Sequence, residues 1–130
     1  MSRIRTPLPF DMEYTQRYSL IMKNLTDKRC VPCEGGTPPL GAAQIKDLIL
    51  QVPAWSLKEG HLCRSFKFKT FAEAIRFINS VAGLAEEEGH HPNILIRYNK
   101  VDFDLWTHAI KGLSENDFIL AAKIDRLGVQ

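Results

Sequence analysis

The stretch from Thr70 to Glu88 most limits what this chain can become. Phe71, Ala74, Ile75, Ile78, Ala82 and Ala85 recur at helical spacing, and Phe77, Val81 and Leu84 fall on an adjoining stripe. This pattern predicts a helix whose apolar surface is broad enough to be covered on more than one side. Gly89 can adopt the left-handed conformation that closes a helix, and Pro92 prevents the next turn from forming. The adjacent His90 and His91 are therefore expected at a corner between a helix and an extended segment.

The flanking segments read as hairpins. Before the helix, Trp55 to Lys58 and Leu62 to Lys69 are separated by Glu59-Gly60, and Phe66 and Phe68 alternate with Ser65, Lys67 and Lys69. After it, Asn93 to Tyr98 is rich in Ile and Leu, and Val101, Phe103 and Leu105 alternate with Asp102 and Asp104, with a turn expected at Asn99-Lys100. An earlier helix is expected from about Leu40 to Gln51, with Gly41, Ile45, Leu48, Ile49 and Val52 on one face and Pro53 as its stop. A last helix from Glu115 to Leu127 opens with Ser114 as cap and Asp117 three residues later. These elements predict an α+β domain: a four-stranded antiparallel sheet with three helices packed on one face. Apolar surface left over on the second and third helices predicts self-association as a homodimer or homotetramer.

Residues 1–39 form a leader punctuated by Pro7, Pro9, Pro32, Pro38, Pro39, Gly35 and Gly36, with one short helix expected around Tyr14 to Leu25; residues 40–130 form the domain. At 130 residues, 45% hydrophobic and 25% charged, one core and ordinary globular folding are expected. The 17 basic and 15 acidic residues are scattered, so no stripe tracks phosphates and nucleic acid is not an expected partner. Apolar runs such as Phe118 to Ala122 are too short to cross a membrane. The cysteines Cys30, Cys33 and Cys63 are odd in number and follow no signal-peptide pattern, which favours a reducing compartment, the cytoplasm with the nucleus included. Asp11 and Glu13 argue against an organelle-targeting leader.

The chemistry concentrates in histidines. The strand introduced by His90-His91 turns and returns to Trp106-Thr107-His108, so His108 is expected at the strand end beside the pair and the three imidazoles converge on one pocket edge. A bland reading stands beside each motif. A His-His pair alone is more often packed or solvated than catalytic. Three histidines can hold zinc, but neighbouring residues must bend sharply to share one ion and no His-x-x-x-His spacing is present. Cys30-Val-Pro-Cys33 lacks a second Cys-x-x-Cys and reads as incidental, and His61 as a solvated hairpin residue. Glu86-Glu87-Glu88 reads as a solvated helix end that opposes the helix dipole slightly. Trp106 shares parity with Asp102 and Asp104, which suits a pocket wall or subunit contact.

Together, Glu86-Glu87-Glu88-Gly89-His90-His91-Pro92, Tyr98-Asn99-Lys100-Val101 and Thr107-His108 resemble the signature of pterin-4a-carbinolamine dehydratases. Gly112-Leu113-Ser114, Asp117 and Ile124-Asp125 fall where that family places similar elements, as do Trp55, Phe66-Lys67-Phe68 and the Phe71 helix. The resemblance runs from about Leu40 onward, and the Cys30 to Cys33 segment is similar to leaders of some members. Two departures are Ile94, where some members carry an aromatic residue, and Gly89, where some carry Asp. The resemblance implies a hydro-lyase of tetrahydrobiopterin recycling that uses no metal or other cofactor, with His90, His91 and His108 catalytic. His90 and His108 would do the acid and base work, and His91 would bind and orient the pterin. It further implies Glu86, Pro92, Thr107 and Trp106 around the substrate. Elementary chemistry agrees: loss of the C4a hydroxyl needs an acid at oxygen and a base at N5–H, and neighbouring imidazoles favour a mixed protonation state. The resemblance also implies two other functions, a dimerisation cofactor for a homeodomain transcription factor, as in animals, and a molybdopterin-related binding protein.

Overall fold

The computed structural model describes residues 24–128. The helix expected around Tyr14 lies outside them, apart from a short 3-10 turn at Leu25–Asp27. Helix α1 spans Ala42–Ile49, strands β1 and β2 span Ser56–Lys58 and His61–Lys67, and α2 spans Phe71–Glu88. Strands β3 (Asn93–Arg97) and β4 (Lys100–Leu105) then precede α3 (Glu115–Gly128). The strands form one antiparallel sheet in the order β1-β2-β4-β3.

Alternation along the strands decides the two faces of the sheet. Leu62 pairs with Leu105 and Phe66 with Val101, which puts them with Phe103 on the side that the helices cover. Phe77 of α2 meets Phe66 at 4.8 Å and Phe103 edge-on at 5.9 Å, while Trp55 donates from Nε1 to Asp125 of α3 at 2.7 Å. Arg64 shares the parity of Leu62 and Phe66, and its guanidinium reaches the same Asp125 carboxylate at 2.5 Å. The opposite face carries the polar alternates, with Ser65 bonded to Asp102 and Asp102 to Arg97.

Helix α2 begins where Thr70 Oγ1 accepts from the Glu73 amide at 3.1 Å, and ends with Gly89 at φ 67. The amides of Gly89 and His90 both bond to the Ala85 carbonyl. Its buried face runs through Ala74, Phe77, Val81, Ala85 and Glu88, midway between the two expected stripes, while Phe71 is half exposed. Two expectations about the second hairpin and the helices need correction. The turn comprises Tyr98-Asn99, one residue earlier than expected, because Arg97 pairs with Lys100 and Tyr98 takes the positive φ of 57. The apolar run Phe118 to Ala122 is not left over for a partner: Phe118, Leu120 and Ala121 are fully buried in the chain's own core. Exposed apolar side chains remain on the helices at Phe71 of α2 and Leu127 of α3, and on the edge strand β3 at Ile94, Leu95 and Ile96.

A histidine-lined cleft as the candidate active site

A cleft of about 370 Å³ opens where α2 ends and β4 runs out. Its lining includes His90, His91, Trp106, Thr107 and His108, so one concavity gathers every histidine of the motif. The volume lies within the roughly 300–1,000 Å³ common for small-molecule sites. Larger depressions, of about 680, 630 and 530 Å³, lie on the Phe66–Phe77 edge, on the open sheet face and between Lys28 and Glu115. None of these brings two histidines together, so chemistry favours the smaller cleft.

Each imidazole is held differently. His90 Nε2 lies 2.6 Å from Oδ1 of Asp117, a carboxylate with no solvent exposure. The other oxygen of Asp117 accepts from the Thr107 hydroxyl at 2.8 Å and the Ser114 amide at 2.9 Å. Ser114 therefore opens α3 through its backbone, while its hydroxyl bonds to Thr107 at 2.7 Å. This arrangement spends Nε2 of His90 on the carboxylate and leaves Nδ1 as the nitrogen free to exchange a proton. His91 Nε2 meets Glu86 at 2.7 Å, both of them exposed, so that contact contributes little to stability.

His108 is not at a strand end as expected. β4 stops at Leu105, and His108 opens a 3-10 turn reaching Ile110, closed by Lys111 at φ 54. Its ring packs edge-on against Trp106 at 4.7 Å, and Trp106 stacks on His61 at 4.5 Å with an interplanar angle of 17°. His61 is thus no free solvated residue, since its Nδ1 also bonds to Asp104 at 2.7 Å. Glu86 touches His91 without lining the cleft, and Pro92 is also absent from the lining, lying beyond the helix end that Gly89 closes.

Sequence reasoning missed two contributors. Asp117 is expected from the sequence only as the partner of the Ser114 cap and as a position shared with the family; its distance from the His pair along the chain hides the contact with His90. Val31, Pro32 and Cys33 of the leader also line the cleft. Among the described residues, no group of three or more His, Cys, Asp or Glu side chains is arranged to hold a metal ion. No helix among them is long and apolar enough to cross a membrane.

Comparison with known proteins identifies the family. The family model described as pterin 4 alpha carbinolamine dehydratase matches residues 38–127. The chain belongs to this family. A Rubrobacter xylanophilus protein named "Putative pterin-4-alpha-carbinolamine dehydratase" is 48% identical over 107 residues, covering 82% of this chain and all of that one. A Halorhodospira halophila protein of the same name is 50% identical over 107 residues, covering 81% of this chain and 98% of its own. A crystal structure of a "transcriptional coactivator/pterin dehydratase" from Brucella melitensis superposes with a TM-score of 0.67 at 31% identity, covering 70% of this chain and 99% of that one. The dehydratase family thus accounts for the α+β fold and for the stretch that carries the histidines.

Proposed function

We propose that this chain is a hydro-lyase that dehydrates 4a-hydroxytetrahydrobiopterin to the quinonoid dihydropterin in tetrahydrobiopterin recycling. The C4a–O bond breaks as an acid protonates the departing hydroxyl, a base takes the N5 proton, and the N5 electrons form the new C=N bond while water leaves. The observation that carries this reading is the shared cleft of His90, His91 and His108, with His90 braced by a buried carboxylate.

His90 and His108 are the acid and base. Braced at Nε2, His90 exchanges its proton with substrate through Nδ1. His108, with Trp106 at its flank, supplies the second proton-transfer group, and His91 with Glu86 orients the pterin's polar edge. Thr107 shapes the cleft through Asp117 and Ser114 and takes no proton from substrate. Water elimination of this kind transfers no electrons, so it needs no redox cofactor. A reducing compartment such as the cytoplasm suits a chain with three free cysteines.

The test is stopped-flow dehydration of freshly generated 4a-hydroxytetrahydropterin. His90→Ala and His108→Ala should each lower the rate by about 10²–10⁴-fold, the usual worth of one proton-transfer group. Full activity in His90→Ala, His91→Ala and His108→Ala would overturn the proposal.

A further inference from the structure

We propose that the leader segment Val31-Pro32-Cys33 is the substrate-reading wall of the histidine cleft, with Cys33 in contact with the bound reduced pterin. The inference rests on the dehydratase reading and extends it to a segment preceding the residues 38–127 that the family model matches.

The segment has no helix or strand of its own, yet it is fastened at several points. Asn116, only 5% exposed, grips Val31 from both sides: its Oδ1 accepts from the Val31 amide at 3.0 Å, and its Nδ2 donates to the Val31 carbonyl at 2.5 Å. The same Nδ2 lies 3.4 Å from the Cys33 sulfur. Glu88, 8% exposed, accepts from the Cys30 amide at 2.9 Å and is neutralised by Lys123 at 2.5 Å. Lys28 reaches Glu115 at 2.5 Å.

Burying an amide and a carboxylate is costly unless each is fully bonded, and here both are committed to the backbone of an irregular strand. The result is a segment tied to α2 and α3 at several points, and a wall fixed in place is the condition for discriminating among ligands. Asn116 precedes Asp117, so consecutive residues of α3 hold the leader and His90 and fix one relative to the other. Val31, Pro32 and a thiol present apolar, polarisable atoms, suited to a flat conjugated heterocycle more than to a charged group. The two cysteines differ in use. Burial, and then the charge of Glu88, push the Cys30 thiol up to about 12, and its sulfur points at the Asn116 carbonyl at 3.6 Å, whereas Cys33 lines the cleft.

The test uses the full chain, with iodoacetamide labelling mapped by peptide mass, and 7,8-dihydrobiopterin as the probe. Saturating probe should slow Cys33 labelling about fivefold or more, and Cys30 should label slowly with or without it. In turnover assays, Cys33→Trp should raise KM about tenfold with kcat within about threefold of wild type. If wild type turns over substrate but the probe leaves Cys33 labelling unchanged and Cys33→Trp keeps the wild-type KM, the leader assignment is overturned and the dehydratase reading stands. If wild type turns over no 4a-hydroxytetrahydropterin, the dehydratase reading fails and the leader assignment falls with it. Should Cys33→Trp fail to fold, the labelling result decides.

Discussion

His90 Nε2 and Asp117 Oδ1 meet at 2.6 Å, joining the corner after α2 to the first turn of α3. The Asp117 carboxylate accepts three hydrogen bonds in all, from His90, Thr107 and the Ser114 amide. Replacing it with Asn keeps the shape but weakens the acceptor facing His90. Asp117→Asn should therefore lower kcat by about 10²-fold, the low end of a proton-transfer group's worth. Asp117→Ala should in addition destabilise the fold by about 1–3 kcal/mol for each buried donor left unpaired. Steady-state kinetics and denaturant unfolding separate the two effects; a wild-type kcat in Asp117→Asn would detach the pair from catalysis.

Trp106 lies between His61 and His108, stacked on one and edge-on to the other. His61→Ala removes the stacking partner and should cost about 0.5–1.5 kcal/mol beyond the area lost. It should also reduce turnover, because Trp106 no longer holds the flank of His108. His61→Phe should restore turnover and the stacking share of the stability but not the bond to Asp104, and a His61→Ala enzyme with unchanged kcat would show Trp106 to be fixed by other contacts.

Glu88 supplies a pH-dependent fastening. Burial pushes its carboxyl up, but the Cys30 amide, Lys123 and Arg29 outweigh that and hold it below its ordinary value of 4.5. A depressed carboxylate contributes stability that is complete above the unfolded value and is lost as pH falls through the folded one. The Cys30 amide resonance, followed by NMR from neutral to acid pH, should accordingly titrate with a midpoint below 4.5. Glu88→Gln should abolish that titration.

Gly89 closes α2 at φ 67, and a Cβ there would meet no heavy atom within 4 Å. The cost of a side chain is therefore conformational alone. Gly89→Ala should lose about 1–2 kcal/mol, with Gly89→Asn losing less because Asn tolerates this conformation. Thermal unfolding measures the difference. Equal losses for the two variants would mean that packing, and not φ, sets the cost.

Ile94, Leu95 and Ile96 leave an apolar edge on β3, at 36%, 56% and 37% exposure. An uncovered strand of this kind is a template for pairing with another chain. If the chain self-associates there, Leu95→Lys should shift it to a smaller species in analytical ultracentrifugation without loss of helicity. A wild-type sedimentation coefficient in that variant would exclude β3 as the contact.

The sheet, the helices and their order were legible because the relevant signals are local. Alternation at Val101, Phe103 and Leu105, the Glu59-Gly60 turn and the Gly89 stop each act over a few residues. The convergence of His90, His91 and His108 was legible through the motif and the hairpin. Both apolar stripes of α2 were legible, but which of their residues pack inward, Phe77 and Val81 together with Ala74 and Ala85, only the tertiary neighbours decide. The fate of Phe118 to Ala122 was hidden for the same reason: an apolar run does not say whether its cover is its own chain or another. Asp117, His61 and the leader wall depend on contacts between distant positions, and periodicity carries no record of them.

The adjacency of Asn116 and Asp117 gives the cleft a thermodynamic property beyond its shape. A ligand that binds only when Val31 is seated must favour the seated leader by the same factor by which seating favours the ligand. Occupancy of the cleft and order at the chain's N-terminal side are then one equilibrium, readable from either end.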